Sequence, residues 1–155
     1  MSENSQVVYM SERVFLDIKA TIGRYPAETG GMLGMLNGYI SDFYFDNTAD
    51  VTFGQYSPDS DTCSRILNAE WFPKGIRLCG FIHSHSVDPL PSESDKQYMQ
   101  KIYTAVSRAN NSAPSHFYLF IALSPQSTSF SLHAYSVQSD CEDGFCLSPT
   151  RLDIC

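Results

Sequence analysis

The stretch Gly80-Phe81-Ile82-His83-Ser84-His85-Ser86-Val87-Asp88-Pro89-Leu90-Pro91-Ser92-Glu93-Ser94-Asp95 decides most of what this chain can be. An extended segment alternates its side chains between two faces, so His83 and His85, at the end of the strand-like run IRLCGFIHSH, point the same way and can share one ion. With Asp95 they make three ligands of the kind zinc accepts. The fourth tetrahedral position is then left to water, as in catalytic rather than structural zinc sites, and the expectation is metal-assisted hydrolysis.

Each half of the stretch also has a plain structural reading. Two histidines at this spacing are often just surface or half-buried side chains. Ser92-x-x-Asp95 ahead of an amphipathic run is a helix-capping pattern. The two roles are compatible: if Ser92 opens a helix through DKQYMQKIYTAVSRA, Asp95 sits in its first turn and faces back toward the histidine strand. That helix, over about 93–109, gathers Met99, Ile102, Tyr103 and Val106 on one face as core.

Upstream lies Glu28-Thr29-Gly30-Gly31-Met32-Leu33-Gly34. Alone, Glu28 is a carboxylate at the mouth of a strand, and the glycines are turn or close-packing residues. Taken in order, ETGGMLG, GFIHSHS and PSESD resemble the JAMM motif of the JAB/MPN metalloprotease family, whose pattern is a glutamate, HxH, a spacer of about seven residues and SxxD. The resemblance spans about 8–137.

It implies that His83, His85 and Asp95 hold one zinc per chain. Glu28 would be the general acid/base, and Ser92 would hydrogen-bond the substrate carbonyl and the oxyanion. The chemistry is coherent: zinc can lower the pKa of its water to about 7, a carboxylate can carry the proton to the leaving amine, and a donor can meet the developing charge. Two departures stand out. The spacer SVDPLP holds six residues, and Ser86 stands where the family usually has proline. The shorter loop bears on the seating of Ser92 and removes no ligand. Asp88, inside the spacer, is a rival ligand, but Asp95 keeps its distance from Ser92 and is preferred.

Composition fits one globular enzyme domain: 155 residues, 43% hydrophobic and 13% aromatic, enough for a single sizeable core. A net charge of −7 argues against a nucleic-acid partner. Apolar runs such as FYLFIAL are too short to span a bilayer, and MSENSQVVYMSERV lacks a signal pattern, so no membrane association and a cytoplasmic location are expected. The five cysteines, odd in number and without CxxC, predict reduced thiols. By strand alternation Cys79 shares the face of His83 and His85 and reads as packing near the site.

Along the chain, 6–10 reads as a strand and Ser11 as the cap of a helix to about Ile22, with Val14, Phe15, Ile18 and Ile22 apolar and Gly23 a stop. Thr29 to Leu36 and YISDFYFD form a hairpin about Asn37-Gly38. NTADVTF extends the sheet, and DTCSRILNAEWF is a short helix before Pro73. FYLFIAL is a buried central strand and TSFSLHAYSV a half-buried one. His116 and His133 read as ordinary histidines. The domain covers 6–137, and the sparsely apolar 138–155 reads as a mobile tail.

Pattern alone gives an α/β single domain. The resemblance implies an MPN, cytidine deaminase-like sandwich whose mixed sheet is flanked by helices. Deaminases themselves match less well, for their PCxxC element is missing. The resemblance also implies a zinc metalloprotease, an isopeptidase or peptidase acting after the C-terminus of a ubiquitin-like protein, in deconjugation or precursor processing. Its short length resembles stand-alone prokaryotic members, which are associated with pathways containing an activating enzyme. Two alternatives remain at this level: a non-catalytic MPN interaction module, and a zinc hydrolase of a sulfur-carrier adduct or small peptide.

Overall fold

In the computed structural model, which describes residues 6–46, 58–111, 114–138 and 145–155, the pattern of caps and turns sets the elements. They are β1 (Val7–Met10), α1 (Glu12–Ala20), β2 (Gly30–Leu36), β3 (Tyr39–Phe45), α2 (Ser60–Ile66), β4 (Arg77–His85), α3 (Glu93–Asn110), β5 (Tyr118–Leu123), β6 (Ser131–Gln138) and β7 (Cys146–Ile154). The Ser11 side chain accepts from the Val14 amide and starts α1. Asn37 and Gly38, at φ 56° and 87°, supply the left-handed turn that joins β2 to β3. The expected extension NTADVTF lies outside the described residues. DTCSRILNAEWF forms α2, capped by Asp59, then widens into a π turn over Leu67–Trp71.

The strands run β1-β3-β2-β4-β5-β6-β7, and β7 pairs in turn with β1. The sheet therefore closes into a seven-stranded barrel, where a sandwich with its mixed sheet flanked by helices was expected. β7 is the reason. It pairs antiparallel with β6 and parallel with β1, from Val7↔Arg151 to Met10↔Ile154, so much of the segment expected as a mobile tail is built into the sheet. Closure leaves neither β6 nor β1 as an open edge. Cys146 at the start of β7 is disulfide-bonded, against the expectation of reduced thiols throughout, while Cys63, Cys79 and Cys155 are free.

Two apolar clusters share the sheet. Leu33, Ile82 and Phe120 join Val14 and Ile18 of α1 in one; Met32, Phe81 and Ile121 join Ile66 of α2 and Met99 and Tyr103 of α3 in the other. The expected inner face of α3 is thus the one that packs, with Ile102 and Val106 partly buried against the same cluster. Among the described residues no helix is long and apolar enough to cross a membrane.

A bulge in β4 changes one expectation. β2 pairs Leu33 with Gly80 and then Gly34 with Leu78, which leaves Cys79 unopposed. Cys79 consequently packs with Ile82 and not with Phe81 on the histidine side. Gly80 is required here: a Cβ would stand 2.0 Å from the Tyr118 carbonyl oxygen.

Candidate metal centre

The candidate site forms where β4 ends and α3 begins. Gly30 of β2 lies opposite His83 of β4, and the Thr29 amide donates to Ser84 Oγ at 3.1 Å while the Ser84 amide donates to the Thr29 carbonyl at 2.9 Å. These bonds cross 55 positions of sequence and bring Glu28 to the histidines. Ser84 was not foreseen as part of the site. Its signal was a hydroxyl on the inward side of an apolar strand, where a buried polar group must find a partner; it is fully buried.

Asp95 arrives from the other side. The Ser92 side chain accepts from the Asp95 amide at 3.1 Å, and Asp95 Oδ2 accepts from the Ser92 amide at 2.8 Å, a complete capping box. A carboxylate in the first turn is also favoured by the helix dipole. The same carboxylate meets both rings: Oδ1 is 3.1 Å from His83 Nε2, and Oδ2 is 3.3 Å from His85 Nε2. The capping and ligand-facing roles of Asp95 coexist.

The two Nε2 atoms are 3.1 Å apart. A tetrahedral zinc with ligands at about 2.0–2.1 Å would set neighbouring ligand atoms about 3.3 Å apart. The observed spacings fit such an ion. Glu28 is near as well, since ligand atoms of Glu28, His83 and His85 all lie within 4.8 Å of one another. Two carboxylates thus stand beside the histidine pair: Asp95, whose two oxygens each meet one ring, and Glu28.

Electrostatics follows this packing. Burial works against the Asp95 carboxylate, but His83 and His85 outweigh it and, with the Ser92 amide, hold its carboxyl well below the usual range. The Asp95 contact is the largest influence on His85 and raises its pKa; burial opposes, and the Asp88 carbonyl and the Asp95 and Glu28 charges assist. His85 Nδ1 faces the Asp88 carbonyl oxygen at 3.1 Å. A carbonyl only accepts, so Nδ1 carries a proton and Nε2 is the ring nitrogen turned toward Asp95, the one whose lone pair a metal would take from the neutral ring.

The carboxylate of Asp88, the rival ligand, accepts from the Leu90 amide at 2.9 Å, whereas it is the Asp95 carboxylate that meets both rings. His116 meets the Tyr118 hydroxyl at 3.4 Å, and His133 meets Ser131 Oγ at 2.9 Å. Both stand apart from the group formed by Glu28, His83 and His85.

With this geometry established, likeness to known proteins bears on the fold. A JAB1/MPN domain protein from Archaeoglobus fulgidus is similar to this chain with a TM-score of 0.52 at 15% identity, over 95% of this chain and 97% of that one. The fold is MPN-like. A protein from Desulfitobacterium hafniense, known from its solution structure, is similar with a TM-score of 0.69 at 17% identity, over 96% of this chain and 92% of that one. No protein-family model and no curated protein matches the chain. In this MPN-like fold, β4 and the start of α3 carry the histidines and Asp95, and the entrance of β2 carries Glu28.

Proposed function

We propose that this chain is a zinc-dependent peptidase or isopeptidase that hydrolyses the amide bond after the C-terminus of a ubiquitin-like protein. The observation that carries the reading is the convergence of His83 Nε2, His85 Nε2 and the Asp95 carboxylate at 3.1–3.3 Å beside Glu28. Zinc bound by His83, His85 and Asp95 would supply a water of pKa about 7 and polarise the scissile carbonyl.

The remaining work falls to side chains. Glu28 takes the proton of the attacking water and returns it to the leaving amine, a transfer of the kind that contributes about 10²- to 10⁴-fold. Ser92 Oγ accepts from the Asp95 amide and meets Ser94 Oγ at 3.0 Å; with Ser94 the donor of that pair, the Ser92 O–H is left to donate to a substrate carbonyl on which negative charge develops. Asp88, through its carbonyl, keeps His85 in the tautomer that presents Nε2. The ubiquitin-like substrate, and a pathway containing its activating enzyme, follow from the JAMM resemblance.

The test is a cleavage assay on a ubiquitin-like protein carrying a C-terminal peptide or an isopeptide-linked lysine. Turnover that a chelator abolishes and added zinc restores is the expected result. Turnover indifferent to the chelator would reject the reading.

A further inference from the structure

The loop between His85 and Ser92 has no regular hydrogen-bonded structure of its own, yet it carries the end of the ligand strand into the capped helix. It is pinned at three points. The Asp88 carbonyl faces His85 Nδ1 at 3.1 Å, the Asp88 carboxylate accepts from the Leu90 amide at 2.9 Å, and the Tyr135 hydroxyl donates to the Pro89 carbonyl at 2.5 Å. The first two bonds are local. The third comes from β6, 46 positions away in sequence.

Tyr135 is well placed to act as a fixed post. It is 7% exposed, pairs with Leu119 across β5 and β6, and belongs to the cluster that holds Phe81 and Ile121. Its target is informative too. The pyrrolidine ring locks φ of Pro89 near −65°, so only one soft dihedral separates the Asp88 carbonyl from the Pro89 carbonyl. Anchoring the Pro89 carbonyl therefore restrains the direction of the Asp88 carbonyl, and with it the His85 ring.

We propose that Tyr135 is a positioning residue of the candidate metal centre: its bond to Pro89 holds the loop so that the Asp88 carbonyl fixes the His85 ring with Nε2 toward His83 and Asp95. This rests on the metal-site reading above. Outer partners of ligand histidines typically change metal affinity by about 10- to 100-fold when removed, which sets the expected size.

The experiment uses the full chain, stripped of metal, as wild type, Tyr135→Phe and Asp88→Ala. Zinc affinity is measured by competition with a chromophoric chelator, and the His85 Nδ1–H proton is followed by NMR in the metal-free protein. Tyr135→Phe keeps the buried ring, so it is expected to fold, to bind zinc about 10- to 100-fold more weakly, and to exchange the His85 Nδ1–H faster. Asp88→Ala removes the Leu90 acceptor at an exposed position and is expected to shift both readouts the same way, which covers the case of a poorly folded Tyr135→Phe. Wild-type zinc affinity with an unchanged Nδ1–H in a folded variant overturns the proposal. Weaker zinc binding with an unchanged Nδ1–H overturns the route through His85. Should the wild type bind no zinc, the metal reading fails by itself, and the Nδ1–H signal alone decides whether Tyr135 positions the ring.

Discussion

Ser84 and Thr29 exchange two hydrogen bonds, the Thr29 amide to Ser84 Oγ at 3.1 Å and the Ser84 amide to the Thr29 carbonyl at 2.9 Å. Only the first needs a side chain. Ser84→Ala leaves the Thr29 amide without that acceptor, at a cost of about 1–3 kcal/mol, and loosens the entrance on which Glu28 stands. The melting temperature and turnover should both fall while zinc content is retained, because the proposed ligands His83, His85 and Asp95 are left intact. Thermal melts, metal analysis and turnover of this one variant check all three.

Ser92→Ala separates capping from catalysis. Loss of the acceptor for the Asp95 amide should cost about 1 kcal/mol of stability. A second loss, of about 10²- to 10³-fold in turnover with zinc still bound, is expected from the missing oxyanion donor. A lower melting temperature with unchanged turnover would leave Ser92 as a cap alone.

Glu28→Gln keeps shape and hydrogen bonding but cannot accept a proton. Zinc should remain, and hydrolysis should drop by at least about 10²-fold with loss of the acidic limb of the pH profile. Wild-type turnover in a zinc-loaded variant would show that Glu28 is not the base.

Alkaline stability should report on Cys63, whose thiol is pushed up to about 12 by burial first and then by the Asp46 and Asp59 charges. The folded state holds this proton more tightly than the unfolded chain, so the stabilisation is complete below about pH 8.5 and is lost as the pH rises through about 12. Cys63→Ala should flatten the fall of melting temperature in that window, leaving the parts due to Cys79 and to Tyr44, Tyr98, Tyr118 and Tyr135, which burial raises in the same sense. Identical slopes for variant and wild type would contradict it.

Much of the site is written locally. Strand alternation put His83 and His85 on one side, and the capping pattern put Asp95 at the start of α3, because both follow from the repeat of a single element. What depends on partners distant in sequence was not legible. Cys79 changes face because of a bulge set by the close approach of Tyr118 to Gly80, and Tyr135 reaches Pro89 only once β6 is in place. β7 escaped notice because CLSPTRLDI contains Pro149 and few apolar residues. It is held by ladders to β6 and β1 more than by burial, and its addition closes the sheet into a barrel.

Zinc content of the purified chain, measured beside that of the His83→Ala/His85→Ala double variant, tests the central claim most directly. About one zinc per wild-type chain, and nearly none in the double variant, is the expected result, because the two imidazoles and Asp95 are the proposed ligand set. A double variant that keeps the zinc of the wild type would contradict the assignment of the metal centre.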